Sequence, residues 1–597
     1  MSLAEDSQGT LGKGRRRLNV AIVGGGISGL YSALLLQREG HHVRIFEGTH
    51  RIGGRVHTHY FTTQNDQYFE AGAMRIPNSS FHHNTFELIK YIQSFQLPKD
   101  TQVDLITYVL SAPGNRIYIN GCTPDEGDDA HIASIITPSS IDWEVDDEYK
   151  NKSAGDLMQE AIGHFVKDLK ESSDFEKTFR GIVDKFDNYS FRFYCSSVHG
   201  WPTNVIDFVE TVMSQTNQFA LSVPELIMQN MDFDVKEWKT IKHGMSRLPL
   251  AMASLVGYRN ITFGARVTSL QNTNDGRVTV TAVGYNGVLS ATFDRVIMAI
   301  PPAALKMIAD RPRWSPAKEM AIRSIHFEAL YKMGMRFKTR FWEQVPPKSH
   351  GGQDTTDLPI RWIVYPSNGI GSTGPGVLLV YAWMTDAGTW LPLTPIERRS
   401  LALHCVHEMY DGLEDKDGNV IDVYDQLIET ADAVWSESTA TGDAMFLPGQ
   451  FADRFDRARE PEGKIFFAGE HLSYHHTWIT GAVESALYTA RKILDKPDLK
   501  PLRVTSKSSG PITQPLPSTS RGEAPIVQMP VADVDFKFCP NNTMFHGEIP
   551  PVFGGPSQPG PPRGSTELRF PLNLGGSSTH ILGAEMNALK GTAVANA

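Results

Sequence analysis

Residues 18–55 constrain the fold of this chain more than any other stretch of it. The apolar run 20–23 is short enough for a buried strand and leads straight into Gly24-x-Gly26-x-x-Gly29. Leu30, Ala33, Leu34 and Leu36 then recur at helical spacing. A second apolar run, 43–46, ends on Glu47, 18 residues after the last glycine. Together these make a complete βαβ unit, and each part has a physical task in holding a dinucleotide. Gly24 permits the tight turn, Gly26 lets backbone approach a pyrophosphate, and Gly29 lets helix and strand pack. The helix N-terminus, which includes Ser28, offers free N–H groups and the positive end of the helix dipole to phosphates. Glu47 stands where it can accept hydrogen bonds from a ribose diol. A glycine-rich turn by itself would not bring strands, helix and acid into register.

Just after the acid, Arg51, Gly53, Gly54 and Arg55 form R-x-G-G-R. Far along the chain, residues 464–470 read K-I-F-F-A-G-E, followed by His471 and then W-I-T-G-A at 478–482. With both motifs present, more than 400 residues apart, the chain resembles the flavin-dependent amine oxidase superfamily. In that superfamily the first element helps hold FAD. F-A-G-E closes the cofactor domain, and the segment after it covers the flavin ring. The resemblance implies FAD as cofactor, held at its first motif by Gly24, Gly26, Ser28, Gly29, Glu47, Gly54 and Arg55. At the flavin end it implies Ala73, Met74, Arg75, Val267, Gly469, Glu470, Trp478, Ile479 and Thr480. The expected fold is α/β, with a Rossmann-like FAD-binding domain of the glutathione-reductase type. A mixed-sheet substrate domain and a helical insertion interleave with it.

The chain has 597 residues, enough for more than one domain, and its 41% hydrophobic and 21% charged residues are ordinary for a globular protein. A net charge of −10 argues against nucleic acid as a main partner. The basic cluster Arg15, Arg16 and Arg17 directly precedes the first strand and reads as a solvated flank. No run of about 18 apolar residues indicates a membrane span, and the first residues carry no signal-peptide pattern. An intracellular, cytoplasmic location is therefore expected. The four cysteines, Cys122, Cys195, Cys405 and Cys539, are scattered and read as free thiols.

Patterning along the chain divides it as follows. Residues 1–17 read as a flexible arm. The FAD-binding domain is expected from 18–78, 240–325 and 445–497, and the substrate domain from 79–130 and 326–444. The helical domain is expected at 131–239, where Leu157, Ala161, Phe165 and Leu169 recur every four residues. Residues 293–302 read as one buried strand ended by two prolines. Residues 498–597, rich in Pro, Gly and Ser, read as a mostly disordered tail.

Residues 70–77 read E-A-G-A-M-R-I-P and resemble the G-x-M-R-x-P segment of L-amino acid oxidases. There the arginine pairs with the substrate α-carboxylate, and Arg75 matches it. A guanidinium suits this task because its planar fork matches a carboxylate and it stays charged. The alternative is a structural arginine in a surface ion pair. Lys332, in Y-K-M-G-M-R-F-K-T-R-F-W, matches the superfamily lysine that holds a water beside the reactive flavin nitrogen. Residues 350–366 resemble eukaryotic L-amino acid oxidases over nearly the whole stretch. Tyr381 matches a tyrosine that donates a second hydrogen bond to the carboxylate, or else makes a structural one. Trp478 matches the aromatic residue that clamps the amine. Trp435 matches a tryptophan of the substrate domain and reads as core packing.

The chain departs from the animal enzymes at Thr477, where they have glycine, and at His475. Met228 falls near the place of their active-site histidine, so no histidine base is assigned. His471, His475 and His476 complete no metal shell, and no metal is expected. If Lys332 faces the pocket along a strand, Glu328, four residues earlier, faces it too, with Asp443 nearby. The alternative pairs Glu328 with Arg323. Thr477 joins the expected substrate-binding set.

The resemblance implies oxidative deamination of L-amino acids with dioxygen, giving 2-oxo acid, ammonia and hydrogen peroxide, by a homodimer. The rival readings are an amino-acid 2-monooxygenase, which would give an amide and carbon dioxide, and a non-catalytic FAD-fold scaffold.

Overall fold

The structure is a computed structural model and describes residues 10–11, 15–63, 66–124, 132–213, 215–284, 287–415, 417–435 and 441–504. At its centre is a five-stranded parallel sheet in the order Ile261–Thr262, His42–Phe46, Asn19–Val23, Arg295–Met298, Ile465–Phe467. Its strands come from four well-separated stretches of chain. Val20, Ala21 and Ile22 are completely buried. A parallel sheet is covered on both faces, which is why residues 20–23 are apolar without alternating. The helix Ile27–Arg38 packs beside Arg247–Val256 and Ile479–Leu494, and their apolar faces share one core with the sheet.

An antiparallel three-stranded sheet, Arg266–Asn272, Val278–Gly284 and Gly287–Phe293, stands beside this layer. The expected single strand over 293–302 is in fact two. The chain breaks at Asp294, whose carboxylate accepts from Asn19 N and Arg16 Nη2. Arg295–Met298 then enters the parallel sheet, and Pro302 opens a short helix, Pro302–Lys306.

The second large sheet has six strands in the order Leu427–Val434, Leu330–Phe337, Gly376–Trp383, Trp362–Val364, Gln353–Thr356, Ile117–Tyr118. The strand Gly376–Trp383 is buried at every position. The helical segment contains Ala154–Glu171, Phe175–Phe186, Phe191–Val198, Thr203–Met213 and Val223–Phe233. Four of these five begin at a side-chain cap: Ser153, Asp174, Ser190 and Ser222 each accept from a backbone N–H three residues on. In the first of them Leu157, Ala161, Phe165 and Leu169 are buried, as their spacing requires.

Two further differences from the sequence reading stand out. Residues 79–130, read as strands and turns, contain the helix His83–Gln93. In the expected loose arm, Thr10–Leu11 pairs with Arg15–Arg16. Most of the expected tail, 505–597, including Cys539, lies outside the described residues. No helix among the described residues is long and apolar enough to cross a membrane.

Candidate active site

The two large sheets and the helical segment meet at a cavity of about 380 Å³. One end is the glycine turn of the first βαβ unit. Gly24 sits at φ +105°, and a Cβ there would lie 2.5 Å from Ala299 O. Gly29 is not in the cavity wall. It lies behind it, where a Cβ would come within 2.1 Å of Gly24 O, so its task is helix–strand contact. A Cβ on Gly26 would meet nothing within 4 Å, so the backbone presents an open floor there. Ser28, in the first helical turn, lines the same end. Glu47 is buried; its carboxylate accepts from Gly25 N at 2.8 Å and from Thr49 N and Oγ1 at 2.8 and 2.7 Å. It thus braces the turn while facing the cavity.

The two distant motifs close on each other. Arg55 Nη1 lies 2.7 Å from Glu470 Oε1 and 2.8 Å from Gly442 O. Gly54, Ala73, Met74, Val267, Gly469 and Ile479 also line the cavity. Thr480 does not: it is fully buried, and its hydroxyl lies 3.4 Å from Phe81 O. Thr480 follows Ile479 on the helix Ile479–Leu494, and the helical turn per residue points its side chain away from the wall that Ile479 forms.

The other end is walled by Arg75, Lys332, Tyr381, Trp383, Trp435, Asp443, Thr477, Trp478 and Phe233. Arg75 is 5% exposed. Its guanidinium is surrounded by the rings of Phe233, Trp238 and Tyr108 at 5.1, 5.6 and 5.8 Å, and its polar contact is Gln353 Oε1 at 3.4 Å. No carboxylate among the described residues pairs with it. Lys332 alternates onto the cavity face of its strand. Its Nζ donates to Gly72 O at 2.6 Å and lies 4.5 Å from the Tyr381 ring centre. Burial pulls its ammonium down to about 7, and Arg75 adds to this against Glu70 and Asp443. Burial and Glu470 push the Asp443 carboxyl up to about 7, opposed by Arg55. Asp443 Oδ1 is buried without a hydrogen-bond partner.

Glu328 does not line the cavity as its spacing from Lys332 implied. The strand begins only at Leu330, so the alternation that would have aimed Glu328 beside Lys332 does not extend to it. Its carboxylate pairs with His326, not Arg323, and it is absent from the cavity wall. Trp435, read as packing, is in the wall; its Nε1 donates to Ala71 O at 2.6 Å. Met228 is buried outside the wall, and the helical segment contributes Phe233 instead. Sequence reasoning missed Phe233, the last residue of its helix, because no local pattern marks it.

Of the three histidines after F-A-G-E, two pair with different carboxylates and one lines the cavity. His471 lines the cavity, and burial pulls its imidazole down to about 3 against the pull of Glu470. His475 Nδ1 meets Asp232 at 3.1 Å, and His476 Nδ1 meets Glu225 Oε2 at 2.7 Å. His82 Nε2 also meets Asp232, at 3.1 Å, so the ligating atoms of His82, Asp232 and His475 all lie within 4.8 Å of one another. Hydrogen bonds to one carboxylate account for that spacing.

An open glycine floor, a helix N-terminus, a buried acid bracing the glycine turn and an apolar end fit a dinucleotide-binding oxidoreductase. The sequence model of the flavin containing amine oxidoreductases matches residues 27–494, and the chain belongs to that family. FAD is its cofactor. An L-amino-acid oxidase of Vipera ammodytes ammodytes is 30% identical over 482 residues, spanning 80% of this chain and 92% of that one. One from Daboia russelii is 29% identical over 479 residues, with 80% and 88% covered. Among solved structures, putrescine oxidase bound to putrescine matches with a TM-score of 0.60 at 18% identity, over 80% of this chain and 99% of that one. Cyclohexylamine oxidase from Brevibacterium oxydans matches with a TM-score of 0.59 at 15% identity, with the same coverage.

Proposed function

We propose that this amine oxidoreductase oxidises L-amino acids, giving 2-oxo acid, ammonia and hydrogen peroxide. The observation that carries the reading is Arg75. A guanidinium buried in an aromatic box without an acid partner leaves a charge uncompensated, a costly arrangement unless an anion joins it. A substrate α-carboxylate is that anion, and a planar fork binds it with two hydrogen bonds. Simple amines bring no such group.

FAD held along Gly24, Gly26, Ser28, Glu47 and Arg55 would supply the two-electron chemistry between the substrate Cα–N unit and dioxygen. The residues of the chain do the rest. Arg75 and Tyr381 hold the carboxylate end. Trp478 and Trp435 flank the amine side and exclude water. Lys332, its ammonium pulled down to about 7, exchanges a proton at Nζ near neutral pH while its backbone contact at Gly72 keeps it in place. His471, held unprotonated by burial, and Thr477 complete the wall.

Product analysis tests the reaction. Aerobic turnover of an L-amino acid should release 2-oxo acid and hydrogen peroxide in equal amounts. An amide with one carbon fewer would instead assign a monooxygenase.

A further inference from the structure

We propose that the helix Val223–Phe233 is a clamp, in which the buried carboxylates of Asp232 and Glu225 act as positioning residues for segment 475–478 of the cavity wall. The two acids are seven residues apart, two turns along one face of the helix. They meet consecutive residues of the segment that follows F-A-G-E: Asp232 takes His475 and Glu225 takes His476. Both pairs are buried, His476 and Glu225 to 1% exposure each. Glu225 Oε2 also accepts from Phe446 N at 3.0 Å, and Asp232 is shared with His82. The acids are therefore fixed from several sides.

What the clamp holds is a segment that needs holding. Thr477, the next residue, sits at φ +73°. A β-branched side chain avoids that conformation, and it persists only where the surroundings over-determine it. Its backbone N–H donates to Glu470 Oε2 at 3.1 Å. Trp478 follows, packed edge-on against His82 at 5.2 Å and tilted against Phe233 at 5.6 Å. Phe233 ends the clamping helix and also borders the Arg75 guanidinium. One helix thus ties together the aromatic wall and the surroundings of the arginine. Asp232 and Glu225 do not line the cavity, so they act only through His475, His476 and the residues these hold.

The consequence for turnover rests on the amino-acid oxidase reading above. The test compares holoenzyme with Asp232→Ala, Asp232→Asn and Glu225→Gln. Backbone hydrogen exchange over 470–480 reads the clamp directly. Anaerobic mixing with an L-amino acid reads its effect on catalysis, and FAD titration of the apoprotein separates cofactor loss from mispositioning. In Asp232→Ala the segment should exchange faster and bleaching at saturating substrate should slow by about tenfold or more, with FAD affinity unchanged. Asp232→Asn, which keeps an acceptor oxygen, should recover part of the loss. If Asp232→Ala does not fold, the same readouts on the Asn and Gln variants decide.

Unchanged exchange and unchanged bleaching would overturn the clamp, as would a loss that tracks FAD release alone. So would a metal ion present at one per chain and lost with Asp232. A wild-type enzyme that no L-amino acid bleaches would remove the functional reading, while the exchange data would still decide the clamp.

Discussion

Lys332 and Asp443 face the same cavity with charges that burial has made negotiable, and each makes a distinct prediction. Lys332 lies beside Tyr381 and the 70–75 segment, where it can serve proton transfer during return of electrons to dioxygen. Lys332→Met should slow reoxidation more than it slows bleaching by substrate, as separate stopped-flow measurements of the two half-reactions will show; a loss confined to bleaching would reassign it. Asp443 has a buried oxygen without a partner and lies in the wall. Above its midpoint of about 7 it is an anion that repels acidic side chains. A substrate panel in that range should rank L-glutamine or L-lysine above L-glutamate by about tenfold or more, and Asp443→Asn should narrow the gap. L-glutamate at the top would remove Asp443 from the side-chain pocket. Lys332 was legible because a motif fixed its place, while Asp443 was placed only by its expected nearness to the pocket wall. Glu328 was misread because alternation holds only inside a strand, and the strand begins at Leu330. Trp435 and Phe233 reach the cavity through tertiary packing, which no local pattern records.

At the scale of elements, the helix Val223–Phe233 makes the fold pH-sensitive in a defined direction. Burial opposes a charge on His475, but Asp232 overcomes it and raises the imidazole to about 9; Glu484 adds to this, while His82 and His476 stand nearby. Burial likewise opposes the charge on Asp232, yet His475 and His82 hold its carboxyl down at about 2. A raised histidine contributes stability fully below its unfolded value near 6.5 and loses it as pH rises through about 9. The acid's contribution is present above its ordinary range and fades only as pH falls through about 2. Thermal unfolding of the holoenzyme should therefore show stability declining between about pH 6.5 and 9 by up to about 3 kcal/mol, and Asp232→Asn should flatten that decline. A slope identical in wild type and variant would mean that His475 does not titrate in this window. The first helix of this segment was readable from the recurrence of Leu157, Ala161, Phe165 and Leu169. The clamp was not, since it joins residues more than 240 positions apart.

Across the whole molecule, the βαβ unit and the late F-A-G-E motif were enough to name a flavin fold. The physical reason is that phosphate binding and close backbone approach demand particular residues at fixed spacing. Of the parallel sheet's other strands, 43–46 was readable as an apolar run and 295–298 lay within the stretch read at 293–302, but the strand order was not readable. Arg295–Met298 between the strands of residues 19–23 and 465–467 is a long-range pairing that the chain's local pattern leaves open. The break at Asp294 shows the same limit: one polar residue divides what reads as one strand. The interleaving brings Arg75, from the first segment, to one cavity with Lys332 and Tyr381 from the second sheet and Trp478 from the end of the core.

That convergence yields the most direct test. Wild-type holoenzyme and Arg75→Ala are each mixed anaerobically with an L-amino acid and with the amine that lacks only its carboxylate, and bleaching of the yellow protein is followed. Wild type should be bleached far more efficiently by the amino acid. Arg75→Ala should lose about 2–5 kcal/mol of that advantage, roughly 30- to 5,000-fold in efficiency, with little change for the amine. Efficient bleaching of wild type by the amine but not the amino acid, or an unchanged preference in Arg75→Ala, would contradict the account.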